Sequence, residues 1–142
     1  NEAYNGGISS FLLFNLVYAY VSYYLKTTHI ETKYITLSHL LTGFFNFYGF
    51  DFDYKELGIS IRNGGYFFLK SQGHFFNKND QLCVENYQDP SHDIGKSCYN
   101  YSRTILKLFR TARDSLIFPD KVDESYLEKI INIDAFLKNR KK

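Results

Sequence analysis

The most constraining feature of the sequence is an uncharged stretch near its amino terminus, which runs from Ser9 to Leu25. Its length lies near the lower limit for a membrane-spanning helix, which needs about 17–25 apolar residues. Asn15 and several serines and tyrosines in the stretch make its transfer into lipid costly. The flanking residues do not resemble a signal peptide. We therefore expect a helix that is buried at the centre of a globular domain rather than a membrane anchor.

The composition is that of one globular domain, which we place at residues 1–142. A hydrophobic fraction of 44% and a charged fraction of 23% exclude a disordered or fibrous chain. A net charge of +2 excludes a polybasic nucleic-acid binder. The unusual feature is the aromatic content, with 14 Phe, 13 Tyr and no Trp. Cys83 and Cys98 are most simply reduced thiols of the core, because they do not form the Cys pattern of a disulfide scaffold or a zinc module.

Hydrophobic periodicity predicts a mainly α fold with a small β-hairpin (α+β). The first predicted helix is capped by Ser9 or Ser10 and runs to about Lys26. The other predicted helices are Tyr34–Tyr48, Tyr99 to about Phe118, Glu124–Ile131 and Asp134–Lys141. Gly49 is expected to end the second helix. The buried face of the third helix is expected to carry Ile105, Leu108, Phe109, Ala112 and Leu116. Gly58–Arg62 and Tyr66–Leu69 alternate like strands around the turn signal at 63–65, and Leu82–Tyr87 reads as a further extended segment.

Two short patterns resemble catalytic motifs but lack what the chemistry needs. Residues 95–97 match the end of a phosphate-binding loop, whose first glycine would fall at Pro90. Asp51 and Asp53 alternate as the carboxylates of two-metal sites do, but we interpret them as solvated loop charges. No His, Cys, Asp or Glu group has metal-ligand spacing, so we predict no metal site in this chain.

A dense polar turn at residues 88–97 is the strongest candidate site. Asp89, His92 and Asp93 could supply hydrogen-bond acceptors and a donor to the edge of a nucleobase. The alternative is an ordinary capped turn, in which Asp93 or Ser91 holds the start of the next helix.

Four segments, taken in order, are similar to one family. They are NEAYNGGISSF at 1–11, FFNFYG at 44–49, FDYKELGISIRNGG at 52–65 and QDPSHDIGKS at 88–97. Together they resemble the central, PAP-associated domain of the noncanonical poly(A) polymerases, the TRAMP-type adenylyltransferases of RNA surveillance. The terminal uridylyltransferases are near relatives. The resemblance spans about residues 1–133 and implies the central-domain fold of the poly(A) polymerase and 2′-5′-oligoadenylate synthetase superfamily.

The resemblance implies a nucleotide-binding site made of Ser10, Phe11, Asp89, His92 and Asp93. Ser10 would contact the triphosphate and Phe11 would stack on the base, although family members usually carry Tyr there. The acidic turn would read the base edge. This turn is about three residues shorter than is usual, and His92 stands where adenylyltransferases tend to have Asn and uridylyltransferases His. We expect ATP as the substrate, with UTP as the alternative.

The catalytic domain of the family, with its Gly-Ser motif and three aspartates that hold Mg²⁺ or Mn²⁺, has no counterpart in this chain. The resemblance therefore implies a nucleotide-recognition domain that is inactive by itself, in an enzyme that adds AMP to RNA 3′ ends. It also implies zinc-knuckle RNA-binding and helicase subunits of a TRAMP-like complex as partners, no membrane association, and a nuclear or nucleolar location with the cytoplasm as an alternative. The other alternative is a non-catalytic scaffold domain of an RNA-processing complex.

Overall fold

The computed structural model describes residues 7–73 and 80–117, and within them the fold is mainly helical with one small sheet. The described helices are α1 (Ser10–Thr27), α2 (Leu37–Asn46) and α3 (Leu106–Ile117). The strands β1 (Leu57–Ser60) and β2 (Tyr66–Leu69) form an antiparallel hairpin. The predicted fold class is therefore confirmed. The predicted helices at 124–131 and 134–141, and the last residue of the predicted third helix, lie outside the described residues.

Helix α1 begins and ends close to the predicted positions, but it is not buried on all sides. Ser9 caps it by accepting a 3.1 Å hydrogen bond from the backbone N–H of Leu12. One face packs into the core through Leu12, Leu16, Ala19 and Tyr20. The opposite face stays largely in solvent, with Phe11, Phe14, Val17 and Tyr18 each at least 40% exposed. The expectation of a helix buried at the centre was thus wrong for this face, because within the described residues α2 and the hairpin cover only one side. No helix in the described parts of the chain is both long and apolar enough to cross a bilayer.

Helix α2 is shorter at both ends than the periodicity suggests. Thr36 caps it by accepting from the backbone N–H of His39, so Tyr34 lies outside, in a short 3₁₀ turn. After Asn46 the chain continues in a five-residue π-helical turn over Phe47–Asp51. Gly49 lies inside this turn and does not end the helix, so that prediction was wrong. A Cβ at Gly49 would lie 3.3 Å from the backbone nitrogen of Arg110, so the glycine allows α3 to approach closely.

The core is made largely of aromatic rings from the helices and the segments between them. Phe44 is at its centre, with ring centroids 5.0–5.9 Å from those of Tyr20, Phe45, Tyr48 and Phe109. All four pairs are edge-to-face, the arrangement that the ring quadrupoles favour. Helix α3 follows a π-helical turn at Tyr101–Ile105 and contributes Phe109 and Ala112 to the core. Leu108 was predicted on this face but is 48% exposed, because it lies at the edge of the stripe that the buried Ile105, Phe109 and Ala112 form along the helix.

The hairpin brings the polar turn to α1. Ile59 of β1 forms a parallel bridge with Val84, in which the Ile59 N–H donates to the Cys83 carbonyl and the Glu85 N–H to the Ile59 carbonyl. The predicted extended segment is thereby confirmed around Val84. A second bridge joins Glu85 to Asp93 and folds the polar turn back on itself. Both cysteines are free and buried, as predicted.

Candidate functional site

The start of α1 and the polar turn meet at one cavity of about 380 Å³, although about 80 residues separate them in sequence. We call it the polar cavity. It is lined by Ser9, Phe11, Ser91, His92, Asp93, Ile94, Lys96 and Ser97. Three of the five predicted site residues, Phe11, His92 and Asp93, are therefore brought together, and Ser10 and Asp89 are not part of the lining.

Phe11 is held at the rim of this cavity by the first turn of α1. Its side chain is 50% exposed, so one side of the ring is available to a ligand. Its carbonyl accepts a 2.8 Å hydrogen bond from Nδ2 of the buried Asn15, one turn along the helix. The ring thus projects from a capped helical turn rather than from a free loop.

The two serines at the start of α1 have different positions. Ser9 lines the polar cavity, but its hydroxyl accepts the capping hydrogen bond from Leu12. Ser10 is the first helical residue and is exposed next to the cavity. The predicted contact of Ser10 with a triphosphate stays a prediction.

Asp89 is exposed and shaped by its own turn. Its Oδ1 accepts from the backbone N–H of Ser91 at 3.1 Å and from the Ser91 hydroxyl at 2.6 Å. These hydrogen bonds hold the pKa of the Asp89 carboxyl below its usual value. Asp89 is therefore a carboxylate at neutral pH and can act only as an acceptor.

His92 is fixed by three contacts within the same turn. Its backbone N–H donates to the Asp89 carbonyl, and its carbonyl accepts from the backbone N–H of Asn86. Its Nδ1 lies 3.3 Å from the side-chain Nδ2 of Asn86. An amide nitrogen only donates, so this contact is a hydrogen bond in the tautomer that carries the ring proton on Nε2. In that tautomer His92 offers an N–H donor on its far edge. Asn86 was not identified from the sequence.

Asp93 lies beneath the turn and is only 4% exposed. Its Oδ1 accepts from the backbone N–H of Val84 at 2.9 Å and from that of Gly95 at 2.8 Å. The carboxylate thus caps the 3₁₀ turn Ile94–Ser97 and ties it to the extended segment. This is the capped-turn alternative for Asp93. A role for Asp93 in reading a base stays a prediction.

Lys96 is a cavity residue that the sequence analysis did not select. It is exposed and follows Gly95, which packs closely against the extended segment. A Cβ at Gly95 would lie 2.2 Å from the Leu82 carbonyl oxygen, so only glycine fits without a backbone shift. The close approach places the Lys96 side chain on the wall of the polar cavity. The sequence signal that could have identified Lys96 is its place directly after Gly95, whose backbone N–H is bonded by the Asp93 side chain.

Phe11 also lines a second cavity of about 380 Å³, which we call the aromatic cavity. Its other walls come from α1, the hairpin and the start of the polar turn. They are Phe14, Tyr18, Ile61, Tyr87 and Gln88. The sequence signal that could have predicted this cavity is the spacing of the aromatic residues 11, 14 and 18, which places them on one face of a helix.

The structure provides no cluster suited to a metal ion among the described residues. Asp51 and Asp53 are both exposed. Asp51 accepts from the Asn46 side chain and Asp53 from the backbone N–H of Lys55. These contacts agree with the interpretation of both as loop charges.

Comparison with known proteins identifies the family. The model of the Cid1 family poly A polymerases matches residues 36–92. The chain is 35% identical to the poly(A) RNA polymerase CID14 of Cryptococcus neoformans over 80% of its own length, which is 17% of that protein. It is 33% identical to the inactive non-canonical poly(A) RNA polymerase protein Trf4-2 of Drosophila melanogaster, over 70% of this chain and 26% of that protein.

A solved structure supports the same assignment. A chain from the polymerase core of TRAMP, an RNA surveillance complex, matches with a TM-score of 0.71 and 28% identity. The match covers 80% of this chain and 36% of the solved one. This chain therefore belongs to the noncanonical poly(A) polymerase family.

Proposed function

We propose that this chain is the nucleotide-recognition domain of an RNA 3′-terminal nucleotidyltransferase that adds AMP units from ATP. The observation that carries the proposal is the polar cavity, where Phe11 of α1 and His92 of the polar turn line the same space. A stacking ring beside fixed polar groups suits a flat base with a hydrogen-bonding edge. The relatives named as poly(A) RNA polymerases support the reaction class.

Phe11 stacks on the base of the incoming nucleotide in this proposal. Stacking on an aromatic ring contributes about 1–3 kcal/mol per base and tolerates every base. Because the ring is half-exposed and held by a capped helix, little conformational freedom is lost when a base binds.

Asp89 and His92 supply the discrimination. The Watson–Crick edge of adenine presents an amino donor beside a ring-nitrogen acceptor, which pairs with the Asp89 carboxylate and the His92 Nε2–H. Uracil presents a carbonyl acceptor beside an N–H donor, which pairs with the same two groups in the opposite order. We propose ATP as the substrate on the basis of the family. UTP is the alternative, because the same two groups can pair with either base.

Ser10 and Lys96 are the proposed contacts to the triphosphate. Ser10 is exposed where α1 begins, and Lys96 lies on the cavity wall. An ammonium group can neutralise part of the phosphate charge, and backbone amides at the start of a helix also favour an anion. Asp93 caps the 3₁₀ turn that carries Lys96 and so positions this lysine, and it is the least exposed of the five predicted residues.

The Mg²⁺ or Mn²⁺ ions of the family do not fit the described residues, since these contain no suitable carboxylate cluster. We propose that the metal-binding aspartates come from a catalytic domain, and that this chain alone transfers no nucleotide. The TRAMP core to which it is similar supports a place in a TRAMP-like complex. Zinc-knuckle and helicase subunits as partners, and a nuclear, nucleolar or cytoplasmic location, are proposed from the family alone.

The test measures steady-state kinetics of the complete polymerase with Phe11→Ala. The KM for ATP should rise about 5- to 150-fold, which corresponds to about 1–3 kcal/mol of lost stacking. Tyr34→Ala is the matched control, because Tyr34 is 64% exposed and lines neither cavity. An equal KM in the Phe11 variant and the wild type would refute the stacking role.

The choice between ATP and UTP is tested by His92→Asn in the same enzyme. The ratio of kcat/KM for ATP over UTP should increase, since the resemblance implies Asn at this position in adenylyltransferases and His in uridylyltransferases. An unchanged ratio would exclude His92 from base reading.

A scaffold domain is the second candidate function. The name of the Drosophila relative, an inactive polymerase protein, favours it specifically. The complete protein would then bind RNA-processing partners without incorporating any nucleotide. Incorporation of radiolabelled AMP into an RNA primer by the purified complete protein excludes this alternative.

A further inference from the structure

The outer side of α3, together with the π-helical turn before it, carries a row of cations that the proposed site does not use. Arg103, Lys107 and Arg110 recur at intervals of four and three residues, which places them on one side of the helix. All three residues are exposed, whereas Phe109 and Ala112 are buried on the side that packs into the core. We call the surface formed by Arg103, Lys107 and Arg110 the basic face.

The positive charge of the chain is concentrated in this segment. Residues 99–117 contain four Lys or Arg side chains and one Asp, a net charge of +3, while the whole chain has a net charge of +2. The other residues taken together therefore have a net charge of −1. Among the described residues, none of the three cations of the basic face forms an ion pair with a carboxylate. Such a local excess attracts a polyanion even when the net charge of the protein is small.

The guanidinium group of Arg110 is held in place on the basic face. Its Nε–H donates a 2.7 Å hydrogen bond to the carbonyl of Gly49, in the π-helical turn after α2. The same guanidinium lies 5.6 Å from the centroid of the Phe50 ring, which is 44% exposed. The hydrogen bond to Gly49 uses one of the five N–H donors of the guanidinium. Because the group is already oriented, it loses less conformational freedom when an anion binds.

The basic face ends at Arg113 and Asp114. The Arg113 guanidinium stacks 3.7 Å from the centroid of the Phe50 ring, and it donates to the Asn46 side chain at 3.0 Å. Its Nε–H also donates to the Asp114 carboxylate at 2.9 Å. Arg113 is therefore engaged by its neighbours within the fold. The exposed Asp114 carboxylate opposes an anion at this end of the face.

The basic face begins close to the polar cavity along the chain. Lys96 is on the wall of that cavity, and Arg103 follows it by seven residues. Seven residues span at most about 25 Å when they are fully extended. A helical rise of about 1.5 Å per residue places Arg110 about 10 Å beyond Arg103. A nucleic-acid strand with one phosphate per about 3.4 Å presents several charges over such a length.

We propose that the basic face binds the phosphate backbone of the RNA body, upstream of the nucleotides at its 3′ end. The inference rests on the proposed function, because that function makes a long polyanion the substrate. Phosphate contacts carry no sequence information, so they suit an enzyme that extends RNAs of different sequence. The exposed neighbours Thr104 and Thr111 are polar, which favours a polyanion over a protein partner that needs apolar anchors.

The experiment measures binding of single-stranded RNA to the complete protein by fluorescence anisotropy, at several salt concentrations and without nucleotide or divalent metal. Each phosphate contact on a single strand contributes about −0.7 to the slope of log K against log salt. Lys107→Gln should therefore make the slope shallower by about 0.7 and weaken binding about 5-fold at 0.1 M salt. The triple variant with Arg103→Gln and Arg110→Gln should weaken it about 100-fold, by the same factor for oligo(A), oligo(U) and oligo(C).

Two further variants serve as controls for the location of the charge. Lys33→Gln removes the same charge from a side chain that is 69% exposed, in the short turn before α2, and should change RNA affinity less than twofold. Asp114→Asn removes the negative charge at the end of the basic face and should tighten RNA binding. Equal weakening by Lys33→Gln and Lys107→Gln would mean that only the net charge matters, and it would overturn the proposal.

A thermodynamic cycle locates the bound phosphates. A short RNA is prepared with one phosphate at a time replaced by an uncharged methylphosphonate. At positions upstream of the 3′ end, this replacement should weaken wild-type binding but change binding to the Lys107→Gln variant much less, because both changes remove the same contact. Coupling at the last phosphate alone, or at no position, would overturn the proposal. It would also be overturned if the triple variant keeps wild-type RNA affinity and loses affinity for a poly-glutamate peptide, since the face would then bind an acidic protein.

The outcome is separable from the fate of the proposed function. If the wild-type protein incorporates no nucleotide but shows the coupled loss of RNA binding, the basic face is an RNA-binding surface and the polymerase assignment fails. If incorporation is normal but the triple variant binds RNA as the wild type does, the inference on the basic face fails alone. Urea unfolding of each variant verifies that substitutions at these exposed positions leave the fold intact.

Discussion

The aromatic core around Phe44 and the exposed aromatic face of α1 use the same residue types for different ends. The Phe44 ring is 7% exposed and contacts four other rings, whereas Phe11 and Phe14 are at least 50% exposed. Both sets recur at helical spacing, so periodicity alone does not separate them. The comparison teaches that an aromatic stripe indicates a core only on the side where other elements cover it. The uncovered side is available for ligands.

The largest expected effect separates the two regions by stability. Phe44→Ala should lower the free energy of unfolding by about 3–5 kcal/mol, because the cavity left among the rings cannot fully collapse. Phe14→Ala should lower it by less than about 0.5 kcal/mol, since the side chain is mostly in solvent. Urea denaturation followed by circular dichroism measures both. Equal losses in the two variants would contradict the distinction between core and face.

Asp93 holds the turn that lines the polar cavity, and its replacement should give the second-largest loss of stability. Asp93→Ala leaves the backbone N–H groups of Val84 and Gly95 without their acceptor, which should cost about 2–4 kcal/mol in stability. Asp93→Asn keeps a side-chain oxygen and should recover most of that loss. If Asp93→Asn is stable and yet binds ATP much more weakly, the carboxylate reads the base in addition to capping the turn.

Two buried tyrosines provide a matched pair within the core. The Tyr48 hydroxyl donates to the Leu16 carbonyl at 2.6 Å, whereas the Tyr101 hydroxyl has no hydrogen-bond partner among the described residues. Tyr48→Phe should cost about 1 kcal/mol of stability, and Tyr101→Phe should be neutral or stabilising. Thermal unfolding of both variants measures the difference. A larger loss at Tyr101 would show that its hydroxyl has a partner in the native protein.

The two thiols should give the smallest effect. Burial raises the pKa of Cys83 to about 12 and that of Cys98 to about 11. Because unfolded thiols ionise near pH 8.5, this contribution to stability is complete below that pH and is lost as the pH rises towards about 11–12. At pH 8 a thiol reagent should label the native chain slowly and the urea-unfolded chain fast. Fast labelling of the native chain would mean that the core opens readily.

Much of the fold was predictable because its signals are local. A serine cap, helical spacing and an Asn-Gly-Gly turn correctly indicate α1, α2 and the hairpin. The errors have different causes. Gly49 lies against Arg110 instead of ending a helix, and this contact joins residues that are remote in sequence. Leu108 lies at the edge of the predicted face of α3 and is 48% exposed, because the core covers only the part of that face that carries Phe109 and Ala112.

The site divides in the same way. The sequence by itself determined which residues carry the chemistry, a ring at Phe11 and polar groups at residues 88–97, because residue type fixes hydrogen-bonding and stacking capacity. Only the tertiary structure decided that the two regions line one cavity, that Asp93 is buried beneath it and that a second cavity shares the Phe11 ring. The physical reason is that these arrangements depend on the bridge between Ile59 and Val84 and on packing against α1, and such contacts join residues that are remote in sequence.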